Sequence, residues 1–186
     1  VSSTTQGGGV AGRNEGLIQN ATNRAGSIQV VNQYAGGIAG SNSGRIYGCM
    51  HAASGNRVLY TGGGFAGGIA GCNEVGGELE VVTMNGSVTA ANGEAGGVTA
   101  HNYGSITTSR VYGANIRGTS DAIGGITACN EAGAVISDAN LFNMAKFGGD
   151  VRLYGPDGKE RARHQLGIPE ETVRVEMPTI STQVSD

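Results

Sequence analysis

Three residues able to bind metal or act as nucleophiles, Cys72, His101 and Cys129, recur at intervals of 29 and 28 residues, each directly before an asparagine. Thiolates and imidazoles are donors that zinc takes. If each interval is one turn of a stacked coil, neighbouring members of the slot lie about 4.8 Å apart and the two cysteines about 9.6 Å apart. That is beyond the reach of a disulfide. The other members of the slot, Arg13 and Ser41, supply no fourth ligand. No metal and no other cofactor is expected. The three cysteines, Cys49 included, are an odd number that closes no disulfide framework.

The carboxylates are arranged no more like an active site. Glycoside hydrolysis needs two of them across a groove, about 5–9.5 Å apart. Glu15, Glu74 and Glu131 each follow the asparagine of a repeat, but Ser43 and Tyr103 hold that place in the intervening repeats. Glu78 and Glu80 flank Leu79 and so share one solvated strand face. Gly7 to Gly12 and Gly62 to Gly67 both have the spacing Gly-x-Gly-x-x-Gly, which binds a dinucleotide only where a strand leads through it into a helix. The repeats have no helical pattern, so both strings are expected to be tight turns. Calcium-binding β-rolls place Asp in their glycine repeats, whereas these repeats place Asn. The residues point to a chain that is not an enzyme. Tyr34, Tyr47, Tyr60, Tyr103 and Tyr112 fall near turns, where rings can stack on sugars or anchor a protein partner, and they are the candidate ligand contacts.

These side chains are carried by an internal repeat. Gly8-Gly9-Val10-Ala11-Gly12-Arg13-Asn14 aligns without a gap on the strings beginning at Gly36, Gly67, Gly96 and Gly124, whose starts are 28, 31, 29 and 28 residues apart. After each asparagine comes a glycine and then an aliphatic: Ile18, Ile46, Leu79, Ile106 and Val135. A weaker third element carries Ile28, Val58, Val88 and Ile116. Short β-branched segments punctuated by Gly, Asn and Ser are strand–turn chemistry. One unit cannot bury its apolar face, but stacked units let each strand pair with its equivalents above and below. The expected fold is all-β, a parallel β-solenoid of about five three-sided coils over residues 1–140. Period-two alternation points Ile38 inward, Ala39 outward, Gly40 inward and residue 41 outward. Asn14, Asn42, Asn73, Asn102 and Asn130 then turn in and form a ladder of side-chain amides.

Residues 141–186 differ in composition. The 37 residues from Asp150 onward hold only 3 of the 35 glycines but 7 of the 15 acidic residues. Leu141 to Phe147 reads as a cap on the stack, Val151 to Lys159 as a hairpin about Pro-Asp-Gly, and Ile168 to Asp186 as an extended connector. With a net charge of −3 and scattered basic residues, the chain has no electrostatic footprint for nucleic acid. No run approaches the roughly 20 apolar residues of a membrane span. Val1 to Gly9 lacks the pattern of a signal peptide, which suggests a fragment or a processed form.

The unit Gly-Gly-Ile-Ala-Gly-x-Asn-x-Gly-x-Ile resembles the GLUG motif, found in tandem in very large bacterial surface proteins such as adhesins and immunoglobulin-A1-cleaving metallopeptidases. Five copies span Gly7 to Asp138, with Thr-Ala replacing Ala-Gly at Thr99-Ala100 and Thr127-Ala128 and insertions after Asn73 and Asn130. The resemblance implies an extracellular or cell-wall-attached bacterial module without catalytic activity, serving as a stalk, spacer or adhesive surface for a host protein or glycan. The alternative it leaves is an accessory or substrate-positioning domain of a large secreted enzyme whose catalytic domain lies outside this chain. The His-Glu-x-x-His helix of such peptidases is absent, because Ala52, Asn102 and Gln165 follow the three histidines.

Overall fold

The computed structural model describes residues 1–24, 27–52, 58–61, 64–118, 122–142, 146–148, 150–154 and 160–165. Among them there is no helix. The chain winds as a parallel β-solenoid whose strands fall into four sheets. The first sheet stacks Gln6–Gly8, Tyr34–Gly36, Phe65–Gly67, Glu94–Gly96 and Ile123–Gly124. The second stacks Ala11–Asn14, Ala39–Asn42, Ala70–Asn73, Thr99–Asn102 and Thr127–Asn130. The third stacks Leu17–Gln19, Arg45–Tyr47, Glu78–Glu80, Ser105–Thr107 and Val135–Ser137. Five strands in register in these last two sheets span four full turns.

The fourth sheet closes each turn. Thr83–Ala90 and Arg110–Gly118 are long, continuous strands, whereas the preceding coil offers Met50–Ala52 and Val58–Thr61 separately, both paired with Thr83–Ala90. Register in this sheet corrects one expected alignment. Leu59, not Val58, stands opposite both Ile28 and Val88, while Val58 is opposite Ser87. The glycines of this part of the repeat, Gly26, Gly55, Gly86 and Gly113, stand at unequal distances from Ile28, Leu59, Val88 and Ile116, and a slip of one residue reverses the face a strand presents.

The three expected segments per turn become four because the chain doubles back at Gly-Gly. Tyr34-Ala35-Gly36 and the equivalents beginning at Gln6, Phe65 and Glu94 pair as strands although they contain no β-branched residue. The next strand folds against them at backbone distance. A β-carbon added at Gly67 would stand 1.8 Å from the Ala70 carbonyl oxygen and 2.7 Å from Thr99 Cα, closer than any real β-carbon approaches. Only glycine permits this corner. The same fold-back overturns the outward assignment of Ala39 and residue 41. Ala39 and Ser41 are 0% exposed and Cys72 is 3% exposed, because the middle strands of the second sheet, Ala39–Asn42 and Ala70–Asn73, are covered on both faces. Alternation separates inside from outside only where one face meets water.

The core is continuous along the axis. Ile38, Ile69 and Val98 line the corner, Ile46, Leu79 and Ile106 back the third sheet, and Val88 and Ile116 face them from the fourth, all fully buried. Each contributes about 1.5–3 kcal/mol of burial. The third sheet is the one-sided one: its middle residue is buried, while its flanking residues reach solvent. A left-handed residue leaves it in every coil, with φ of 53° at Asn20, 61° at Gly48, 53° at Val81, 47° at Thr108 and 51° at Asp138.

The backbone continues past the expected boundary. Asn140–Phe142 and Lys146–Gly148 add further parallel strands to the fourth sheet, both against Arg110–Gly118. At the backbone level this is a continuation of the coil where a cap is expected. Asp150–Tyr154 pairs with Ile123 and then, antiparallel, with Glu160–Gln165, with Asp150 opposite Gln165. The extended connector, Ile168 to Asp186, lies outside the described residues.

Candidate functional site

The asparagine that ends each second-sheet strand sits at the next corner, buried. Asn14 Nδ2 donates to Asn42 Oδ1 at 2.7 Å, Asn42 to Asn73 at 2.9 Å, Asn73 to Asn102 at 2.8 Å and Asn102 to Asn130 at 2.7 Å. Each amide also donates to a carbonyl just past the turn: Gly16, Gly44, Gly77, Gly104 and Ala134. The two-residue insertions after Asn73 and Asn130 leave that second bond in place, so they bulge outward without breaking the ladder.

Beside the ladder, the fold-back brings three columns together. The first sheet contributes Gln6, Tyr34, Phe65 and Glu94, which are paired in register. The second contributes Arg13, Ser41, Cys72, His101 and Cys129. The residues after the asparagines contribute Glu15, Ser43, Glu74, Tyr103 and Glu131. Along the axis they change character. At the early end Arg13 pairs with Glu15 at 3.0 Å and Glu74 at 3.5 Å. In the middle Tyr34 stacks on Phe65 at 5.6 Å, Phe65 on His101 at 4.4 Å, and Tyr103 meets His101 edge-on at 5.3 Å.

At the late end five polar groups converge. His101 Nε2 lies 3.2 Å from Glu94 Oε2 and 3.6 Å from Glu131 Oε1. Cys129 Sγ donates to Glu131 Oε1 at 3.4 Å. The Tyr103 hydroxyl lies 3.2 Å from His101 Nδ1. The His101 side chain is 13% exposed and that of Glu131 38%, so the cluster opens to solvent on the Glu131 side. Burial first, then the charges of Glu74 and Glu94, push the Cys72 thiol up to about 12, and it stays protonated and inert. Burial likewise raises Tyr34, with Cys72 and Glu74 adding to the effect.

A second surface lies on the third sheet. Arg45 bridges Glu80 and, at 3.5 Å, Glu78, and its guanidinium sits 4.9 Å over the Tyr47 ring. Leu17, Gln19, Arg45, Tyr47 and Glu80 line a shallow depression. Glu78 and Glu80 are thus spent on one arginine.

The five tyrosines do not share one surface. Tyr34 and Tyr103 belong to the stacked column, Tyr47 to the third sheet, and the half-buried Tyr112 pairs with Asn85 and Phe142 in the fourth. The Tyr60 side chain lies outside the described residues. Sequence reasoning missed Glu94. The signal was available: Tyr34, Phe65 and Glu94 each stand two residues before the Gly-Gly pair, in a slot the repeat alignment did not reach.

Comparisons with protein-family models, curated proteins and solved structures found no match. What the fold and the sites define is a parallel β-solenoid with an amide ladder inside, a stacked aromatic–imidazole–carboxylate column along one edge and one sheet with a solvated face.

Proposed function

We propose that this chain is a non-catalytic structural and adhesive repeat module of a bacterial cell-surface or secreted protein, as the GLUG-like repeat suggests, with the third sheet as its binding face. The observation that carries this reading is the composition of that face. It has five parallel strands in register and outward residues Leu17, Arg45, Tyr47, Glu78 and Glu80, among which Leu17 is 60% exposed. Tyrosine and arginine side by side, with an apolar neighbour, are the groups that dominate binding at protein and sugar interfaces. A rigid backbone holds them in place, so little ordering entropy opposes binding.

The test is an array of glycans and immobilised matrix proteins probed with the chain and with its Tyr47→Ala and Arg45→Ala variants. Retention that falls about tenfold or more in both variants supports the reading, that being the loss expected of a hot-spot residue. If the unmodified chain is not retained, or retention is indifferent to both substitutions, the third sheet is not the binding face.

A further inference from the structure

We propose that His101, Cys129 and Glu131 form a binding site for a zinc-class divalent cation at the late end of the stacked column, with Glu94 beside His101. The imidazole Nε2, the thiol Sγ and a carboxylate oxygen of Glu131 all lie within 4.8 Å of one another. Bond lengths to zinc of about 2.0–2.3 Å put tetrahedral ligands about 3.3–3.8 Å from each other. The separations of 3.6 Å from Nε2 to Glu131 and 3.4 Å from Sγ to Glu131 are edges of that size. The donors come from two adjacent columns, and the fold-back at Gly-Gly sets Glu94 against His101.

The surroundings fit a ligand role. A metal at Nε2 needs the proton on Nδ1, and Nδ1–H can donate to the Tyr103 oxygen at 3.2 Å, the kind of outer contact that sets a ligating imidazole. Phe65 stacked at 4.4 Å holds the ring plane. Glu94 Oε2 is shut off from solvent, while Glu131 leaves a path for the ion. One nitrogen and one sulfur select a borderline cation over calcium or magnesium. Binding converts Cys129 from thiol to thiolate and releases that proton to solvent, so the site tightens as pH rises.

The test titrates the intact chain, reduced and metal-free, with Co²⁺ and with Zn²⁺. One equivalent of Co²⁺ is expected to produce a sulfur-to-metal charge-transfer band that one equivalent of Zn²⁺ displaces. Cys129→Ser abolishes the band. His101→Gln weakens binding at least about tenfold, and Tyr103→Phe keeps the band but weakens binding about tenfold, as expected for an outer contact. Cys72→Ser changes nothing. Independently of any variant, Zn²⁺ protects Cys129 from alkylation in the unmodified chain, as read by peptide mass. The absence of a band, a band that survives Cys129→Ser or is lost with Cys72→Ser, or alkylation of Cys129 indifferent to Zn²⁺ each overturns the site.

Discussion

Asn73 accepts a hydrogen bond from Asn42 and donates to Asn102, Gly77 and Ser105, all inside the fold. Asn73→Ala therefore orphans buried partners on both sides and is expected to cost about 3 kcal/mol in chemical denaturation. Asn14→Ala, at the end of the ladder and without a donor amide below it, is expected to cost about 1 kcal/mol. His51 makes a different demand. It is buried in the column that Met84 and Val111 continue, with Asn23 Nδ2 3.3 Å from its Nδ1, and burial lowers its pKa to about 4. The unfolded chain takes up the proton near 6.5 and the folded chain does not until about 4. This contribution is complete above pH 6.5 and is lost as the pH falls to 4, by about 3 kcal/mol. Denaturation at pH 7.5 and 4.5 should show that loss in the unmodified chain and not in His51→Gln. The ladder was legible because asparagine holds the same slot in all five repeats. His51 was not, because its slot holds Asn23, His51, Met84 and Val111, with no residue type in common.

At the scale of the element, the corner leaving the third sheet is left-handed in every coil, and only one coil puts glycine there. Val81 is β-branched, has φ 53° and is 41% exposed, so its side chain gives up little packing and strains the backbone. Val81→Gly is expected to raise stability by about 1 kcal/mol, the strain outweighing the added freedom of the unfolded chain, and a shift of the denaturation midpoint at unchanged slope would show it. This corner escaped the sequence because Asn, Gly, Val, Thr and Asp share no signature. The Gly-Gly corner was legible as a turn, but not as a fold-back that hides Ala39. Glycine announces a close approach without saying which backbone approaches.

For the whole molecule, each turn makes the same contacts with the turns before and after it, so stability accumulates turn by turn. Deleting residues 65–93 removes one strand from each sheet and sets Glu94 on Tyr34, the partner Phe65 now has. The shortened chain is expected to remain β-structured and to unfold cooperatively with a denaturant slope about a fifth smaller, in proportion to the surface lost. A chain without β signal would mean that the turns are not interchangeable. The solenoid itself was legible because its repeat is punctuated by glycine and asparagine. The column joining Glu94, His101 and Glu131 was not, because it unites slots that are distant within each repeat.

The amide ladder also has a direction. In each of its four bonds the Nδ2 belongs to the earlier coil and the Oδ1 to the later one, from Asn14 to Asn130. Five aligned amides give the solenoid an electrical axis, positive towards the late end, and each bond polarises the next. Two such stacks can therefore be joined only head to tail, since head-to-head contact would set donor against donor. Any further coil must extend the stack in the same sense, which makes the molecule a one-way ruler.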